Sequence, residues 1–130
     1  KIPNGAPGIE TRMSLLWDGG VHGKRLSRNR YVELTSTGPA KIFGLWPKKG
    51  TIAPGSDADI VIFDPNGETV LSQKSLHMNV DYNPYEGRRV RGTVESVIAR
   101  GELVIEKGQL RGKPGRGRYL RRKTRDGLLR

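Results

Sequence analysis

The sequence holds 130 residues, 34% of them hydrophobic, with no cysteine and a formal net charge of +11. That length suffices for one modest domain with a lean core, and the lack of cysteine excludes a disulfide framework and thiolate metal ligands, which suits a cytoplasmic location. No apolar run approaches the roughly 18 residues of a membrane span, and Lys1-Ile2-Pro3 does not read as a signal peptide.

The chain opens on Ile2-Pro3-Asn4-Gly5-Ala6-Pro7-Gly8, a loop rich in residues that fix or free the backbone. Ile9, Met13, Leu16 and Trp17 then fall at helical spacing, with Glu10 in the first turn, where the helix dipole favours an anion. The pattern predicts an amphipathic helix over residues 9–17, stopped by Gly19-Gly20. Ser27 is the expected N-cap of a second helix that turns Tyr31, Leu34 and Thr35 inward. Gly38-Pro39 reads as the start of a third, short helix, with Ile42 and Phe43 as its apolar contacts and Gly44 as its stop. Three helices without an intervening strand do not make a self-sufficient α/β unit, and the chain has no initiator Met; both features suggest a piece of something larger.

The rest is organised around GTIAPGSDADIVIFDP, residues 50–65. Ser56, Asp57 and Asp59 supply oxygens that hold a turn, and Ile60, Val61, Ile62 and Phe63 run unbroken, as in a strand covered on both faces. Asp64, Pro65, Asn66 and Gly67 are expected to stop that strand in a hairpin turn, with Glu68–Leu71 as its return. NVDYNPYEG, residues 79–87, reads as a loop carrying Tyr82 and Tyr85. Val94, Val97 and Ile98, then Arg100-Gly101, then Leu103, Val104 and Ile105 form a second predicted hairpin, closed by Lys107-Gly108-Gln109. About four strands are too few to cover both faces of the Ile60–Phe63 strand, so others are expected from elsewhere.

Charge is unevenly spread: residues 1–110 carry a balance of +3 and residues 111–130 one of +8. RGKPGRGR, residues 111–118, is of low complexity and should stay flexible unless a partner orders it. Nine basic residues in the last twenty could neutralise phosphates. Against a nucleic-acid-binding module, the tail has one aromatic, Tyr119, instead of a stacking platform, and the body carries little excess charge. The glycines of residues 112–117 follow no strand and open no helix, so they do not read as a phosphate loop. His22 and His77 match no metal-ligand spacing and read as solvated or hydrogen-bonded histidines. Asp57 and Asp59 could be paired carboxylates, but turn capping explains them more simply. Tyr82 and Tyr85 could stack on a ligand or pack their loop against a parent domain.

IPNGAPGIETR at residues 2–12, STGPAKIFGLWPKKGTIAPGSDADIVIFDP at 36–65, HMNVDYNPYEG at 77–87 and GRGRYLRR at 115–122 together resemble the C-terminal part of dihydropyrimidinases and D-hydantoinases, cyclic-amide hydrolases of the amidohydrolase superfamily. One departure is Gly38, where the family commonly has asparagine; at a helix N-cap that exchange should cost only a few tenths of a kcal/mol. The resemblance implies a mixed α and β fold. Residues 1–47 would be the last loop and helices of a (β/α)8 barrel, 48–110 the C-terminal strands of a small β-sandwich domain, and 111–130 a basic oligomerisation tail.

It further implies ring opening of a dihydropyrimidine or 5-substituted hydantoin by two divalent metals, usually zinc, sharing a hydroxide. The family's four histidines, carboxylated lysine and catalytic aspartate correspond to positions upstream of Lys1, and a complete barrel needs roughly 250 residues. This chain is therefore expected to hold no catalytic or metal-ligating residue and to be inert alone. Asn4, with Gly5, matches the loop that bonds the ring's amide edge largely through backbone atoms. Pro3 and Gly5 suit that task, since they fix and free the backbone beside it. The resemblance also implies a homo-oligomer, commonly a tetramer, joined through the small β domain and tail. A non-catalytic dihydropyrimidinase-like interaction protein would share all these segments.

Overall fold

In the computed structural model, which describes residues 5–122, short helical segments precede a four-stranded sheet. The chain divides into two compact units. One is built from the segment ending at Ser27 together with Phe63–Val94, the other from Arg28–Ile62 together with the segment beginning at Glu95.

In the first unit, α1 (Arg12–Leu16) runs directly into a π-helical stretch, Trp17–His22. Gly19 and Gly20, the expected stop, lie inside that stretch, and the wider turn is closed by Gly23 N–H donating to Asp18 O at 3.0 Å, five residues back. The helix does not bury the face that periodicity suggested. Ile9 is exposed and precedes the helix, while Thr11, Ser14 and Trp17 are buried. Trp17 is the anchor. Its indole N–H donates to Pro65 O at 3.2 Å, and its ring lies 5.1 Å from that of Phe63 at an interplanar angle of 57°. A tilted aromatic pair of this kind contributes about 0.5–1.5 kcal/mol beyond its area burial. Leu71 and Val90 complete the buried apolar set of this unit.

The second unit begins with α2 (Arg28–Val32), a π-helical stretch Glu33–Thr37, and α3 (Gly38–Ile42). The two predicted helices are thus continuous, and Gly38 is no N-cap: both Thr37 and Gly38 have right-handed helical dihedrals. Proline explains the widened turn. Pro39 has no N–H to return to the carbonyl four residues back, and its ring would crowd that carbonyl. The Gly38 N–H instead reaches Glu33 O, while the Thr35 hydroxyl donates to Tyr31 O at 2.8 Å. A Cβ on Gly38 would come 2.8 Å from Glu33 O, so an asparagine needs a local shift here and not merely a change of cap. Tyr31 and Ala40 are buried, whereas Leu34, Ile42 and Phe43, expected to face inward, are exposed.

The sheet has the order β1-β2-β3-β4, with β1 Ile60–Val70, β2 Arg89–Ala99, β3 Glu102–Glu106 and β4 Gln109–Leu110. β1 does not stop at Asp64; it passes through Pro65, Asn66 and Gly67, so Glu68–Leu71 is no return strand. The turn-forming chemistry is absorbed within the strand and from afar: Asp64 Oδ1 accepts the Asn66 N–H at 2.9 Å, and Pro65 O accepts the indole N–H of Trp17, 48 residues away. Nor is β1 covered on both faces among the described residues, since Val61 and Ile62 are exposed. The β2–β3 hairpin turns at Arg100-Gly101 as predicted. Ala99 pairs with Glu102, and both central residues have positive φ, as a twist-matched two-residue turn requires. Lys107-Gly108 repeats this between β3 and β4, with Glu106 opposite Gln109.

Beyond β4, Arg111 and Gly112 N–H groups donate to Val104 O, and the Arg116 guanidinium donates to Ala99 O at 2.7 Å and pairs with Glu102 at 3.2 Å. This part of the basic tail, expected to be flexible on its own, is docked on the hairpin by its arginine. Its end, residues 123–130, lies outside the described residues.

Candidate functional site

The first unit brings the loop before α1 against the long connection between β1 and β2. That connection, residues 72–86, is closed at its neck by backbone bonds: Leu71 N–H to Arg88 O and Gly87 N–H to Leu71 O, both 2.9 Å. Inside the neck, Glu86 accepts from the Gln73 N–H and the Ser72 hydroxyl at 2.7 Å each, and those two donors hold its carboxyl below the usual carboxylate range. At the tip, Asn83 is buried. Its Oδ1 accepts the Tyr85 N–H at 3.0 Å and its carbonyl accepts the Glu86 N–H at 3.1 Å, a side-chain-supported turn of the kind Asn-Pro favours. The loop is therefore built from its own hydrogen bonds, without a large apolar core.

Two residues of this loop reach the segment before α1. The Tyr82 hydroxyl donates to Gly5 O at 3.0 Å. Glu10 grips His77 with both oxygens: one accepts the His77 backbone N–H and the other lies against Nδ1, each at 2.7 Å. Segment 5–10 is thus held near both ends by residues 67 to 77 positions away.

Asn4 lies outside the described residues. Gly5 is exposed, and a Cβ built there would meet nothing within 4 Å. Tyr82, read as either a stacking or a packing residue, is engaged through its hydroxyl. His77 is hydrogen-bonded and His22 is exposed. Glu10, read only as a dipole-compensating residue, is the clamp that sequence reasoning missed; nothing local couples residue 10 to residue 77.

Asp57 and Asp59 serve a turn in the second unit. The Lys49 ammonium lies 2.8 Å from Asp57 and also bonds Asp59, Lys48 reaches Asp57 at 3.2 Å, and Asp59 Oδ1 accepts the Arg100 N–H at 2.7 Å. Lys49 and Lys48 hold the Asp57 carboxyl below its ordinary range. Burial opposes the charge on Asp59, but Lys49 and the Arg100 N–H outweigh it and keep that carboxyl low as well. Carboxylates committed to neighbouring ammonium groups are unsuited to move protons near neutral pH. Among the described residues, no group of three or more His, Cys, Asp or Glu is gathered to hold a metal, so this part of the chain does not fit a binuclear centre. No helix among them is long and apolar enough to cross a membrane.

The amidohydrolase family profile matches residues 3–104. The chain belongs to the amidohydrolase family. It is 53% identical over 129 residues to the D-hydantoinase of Geobacillus stearothermophilus, an alignment that takes in 99% of this chain and 27% of that protein. Solved amidohydrolase structures agree. The D-hydantoinase of Bacillus sp. AR9 superposes with a TM-score of 0.92 at 52% identity, covering 97% of this chain and 28% of that one. The dihydropyrimidinase of Brevibacillus agri NCHU1002 gives 0.91 at 53%, covering 95% and 27%. The chain thus spans about a quarter of the length of the relatives it matches.

Proposed function

We propose that this chain is the C-terminal segment of a hydrolase that opens the cyclic amide of a dihydropyrimidine or a 5-substituted hydantoin. The observation that carries the proposal is the 53% identity over 129 residues to a D-hydantoinase, an alignment that takes in 99% of this chain. Amidohydrolases are in general metal-dependent. In this reading the ligands, two zinc ions and the proton-transferring aspartate belong to the barrel encoded upstream, and no step is assigned to residues of this chain. Residues 1–47 close the barrel and contribute the Asn4-Gly5 loop that faces the ring, 48–110 finish the small β domain, and 111–130 serve a cytoplasmic homotetramer as its oligomerisation tail. These relatives favour neither a nucleic-acid-binding module nor a non-catalytic interaction protein.

The test is to read the codons upstream of Lys1 and assay the complete product. A frame running back through a His-x-His strand and a barrel lysine, whose product opens dihydrouracil or a hydantoin and loses that activity to a chelator, is the expected outcome. The 130-residue chain by itself should bind no stoichiometric zinc and open neither ring. Metal-dependent ring opening by the isolated chain would overturn the division of labour proposed here, and an inert complete product would overturn the activity.

A further inference from the structure

We propose that Tyr82 is a positioning residue, which together with the Glu10–His77 pair fixes the backbone of segment 5–10, so that Gly5 is held where the functional reading sets it beside the cyclic amide. The inference rests on the reading that this loop faces substrate; the clasp itself is a matter of geometry.

A loop that recognises a ligand through main-chain atoms cannot be oriented by its own side chains at the point of contact, least of all at glycine. Gly5 has open space on its Cβ side, so nothing packs it into place there. What holds it is a hydrogen bond to its carbonyl from the Tyr82 hydroxyl at 3.0 Å. Fixing that oxygen orients the plane of the Gly5-Ala6 peptide. Five residues on, Glu10 engages both the backbone N–H and the ring of His77, so the segment is tethered to the same loop twice.

Tyr82 is 42% exposed. Its ring is not part of the buried core, and removing the hydroxyl should leave that core intact. The other side of the clasp is held by separate bonds. Asn83, next to Tyr82 and only 7% exposed, spends its Oδ1 on the Tyr85 N–H, and Glu86 ties the loop to Ser72 and Gln73. Burial and polar bonding at residues 83 and 86 thus aim a half-exposed tyrosine at a main-chain oxygen. Such a contact acts on the geometry of a ground-state binding loop and not on the reacting atoms.

The experiment compares Tyr82→Phe with wild type in the complete enzyme. KM for a hydantoin or dihydrouracil should rise by about 3- to 10-fold, the worth of one hydrogen bond, with kcat changed less than about two-fold and the melting temperature unmoved. Backbone order parameters at Gly5 and Ala6 should fall in the variant, since the bond holds the carbonyl between them. An unchanged KM, or a kcat loss at constant KM, overturns the positioning role, as do unaltered order parameters at Gly5 and Ala6. If wild-type enzyme opens neither ring, the functional reading fails, and the order-parameter comparison alone decides the clasp. Glu10→Gln, which keeps an oxygen acceptor for the His77 N–H, should give a smaller KM rise than Glu10→Ala; equal effects count against the second tether.

Discussion

Gly92 shows how one residue can govern the packing of an anchor. It sits in β2 at φ +91°, and a Cβ there would come 2.3 Å from Trp17 Cδ1 and 2.8 Å from Phe63 Cζ. Both costs act together: the backbone lies where side chains are strained, and the ring it would displace also donates to Pro65 O. Gly92→Ala should therefore destabilise the protein by about 2–4 kcal/mol, read as a fall in urea midpoint without a change in slope. A loss under about 0.5 kcal/mol would mean that Trp17 is not held as described. Tyr31 poses a different residue-scale question. Burial pushes its phenol from 10.0 up to about 12. Because the folded value is the higher one, Tyr31 contributes stability that is fully present below pH 10 and is lost as pH rises towards 12. An ultraviolet tyrosinate titration should show a late component near 12 that Tyr31→Phe removes.

Among the elements, the 47–59 loop is tied to itself by charge and to the β2–β3 hairpin through the hairpin's backbone N–H groups. Gly101 N–H donates to Ala58 O at 3.0 Å, Asp57 N–H to Lys48 O at 2.9 Å, and Lys49 sits between Asp57 and Asp59. Burial disfavours the charge on Lys49, but the two carboxylates outweigh it and raise its value above 10.5. Both carboxyls fall below 3.8. The carboxylates thus contribute stability present above pH 3.8 and lost as pH falls through their folded values, while the ammonium contributes stability present below 10.5 and lost as pH rises past its own. Lys49→Met should lower the urea midpoint at neutral pH, and its deficit should shrink at both pH extremes; a deficit independent of pH would point to packing of the lysine stem instead. How legible such elements were depended on range. Arg100-Gly101 and Lys107-Gly108 announced their turns because hairpin chemistry is local, and the paired aspartates read correctly as turn residues. Asp64-Pro65-Asn66-Gly67 misleads because the strand is held through those residues by a tryptophan 48 residues away, whose indole N–H donates to Pro65 O. The π-helical turns escape a reading by periodicity, which assumes a constant pitch, and Gly38, a cap by its local sequence, lies in a widened helical turn. The clasp at Glu10 and Tyr82 was invisible for the same reason as the strand: its partners meet only in the fold, although the resemblance had already marked Gly5.

At the scale of the whole chain, apolar surface decides what it can do alone. Among the described residues the buried apolar set is Trp17, Tyr31, Ala40, Leu71 and Val90, while Ile9, Ile42, Phe43, Trp46, Ile52, Val61 and Ile62 are among the large apolar residues left exposed. Large apolar residues left exposed in this number are surface that contact with further protein could cover. Expressed alone, the chain should self-associate at micromolar concentration and bind a hydrophobic dye such as ANS, and within the longer hydrolase proposed above it should do neither. Salt separates this from the obvious rival cause. The net charge of +11 lies mostly in residues 111–130, and association driven by that tail would weaken as added salt screens exposed charges over about 10 Å or less. Association driven by apolar faces should persist or strengthen in sulfate, which favours burial of such surface. Light scattering across a salt series, with and without residues 111–130, therefore tests whether the helices and β1 are faces built for a partner domain. A tail-deleted chain that stays monomeric and melts cooperatively would show instead that residues 1–110 need no partner to complete their core.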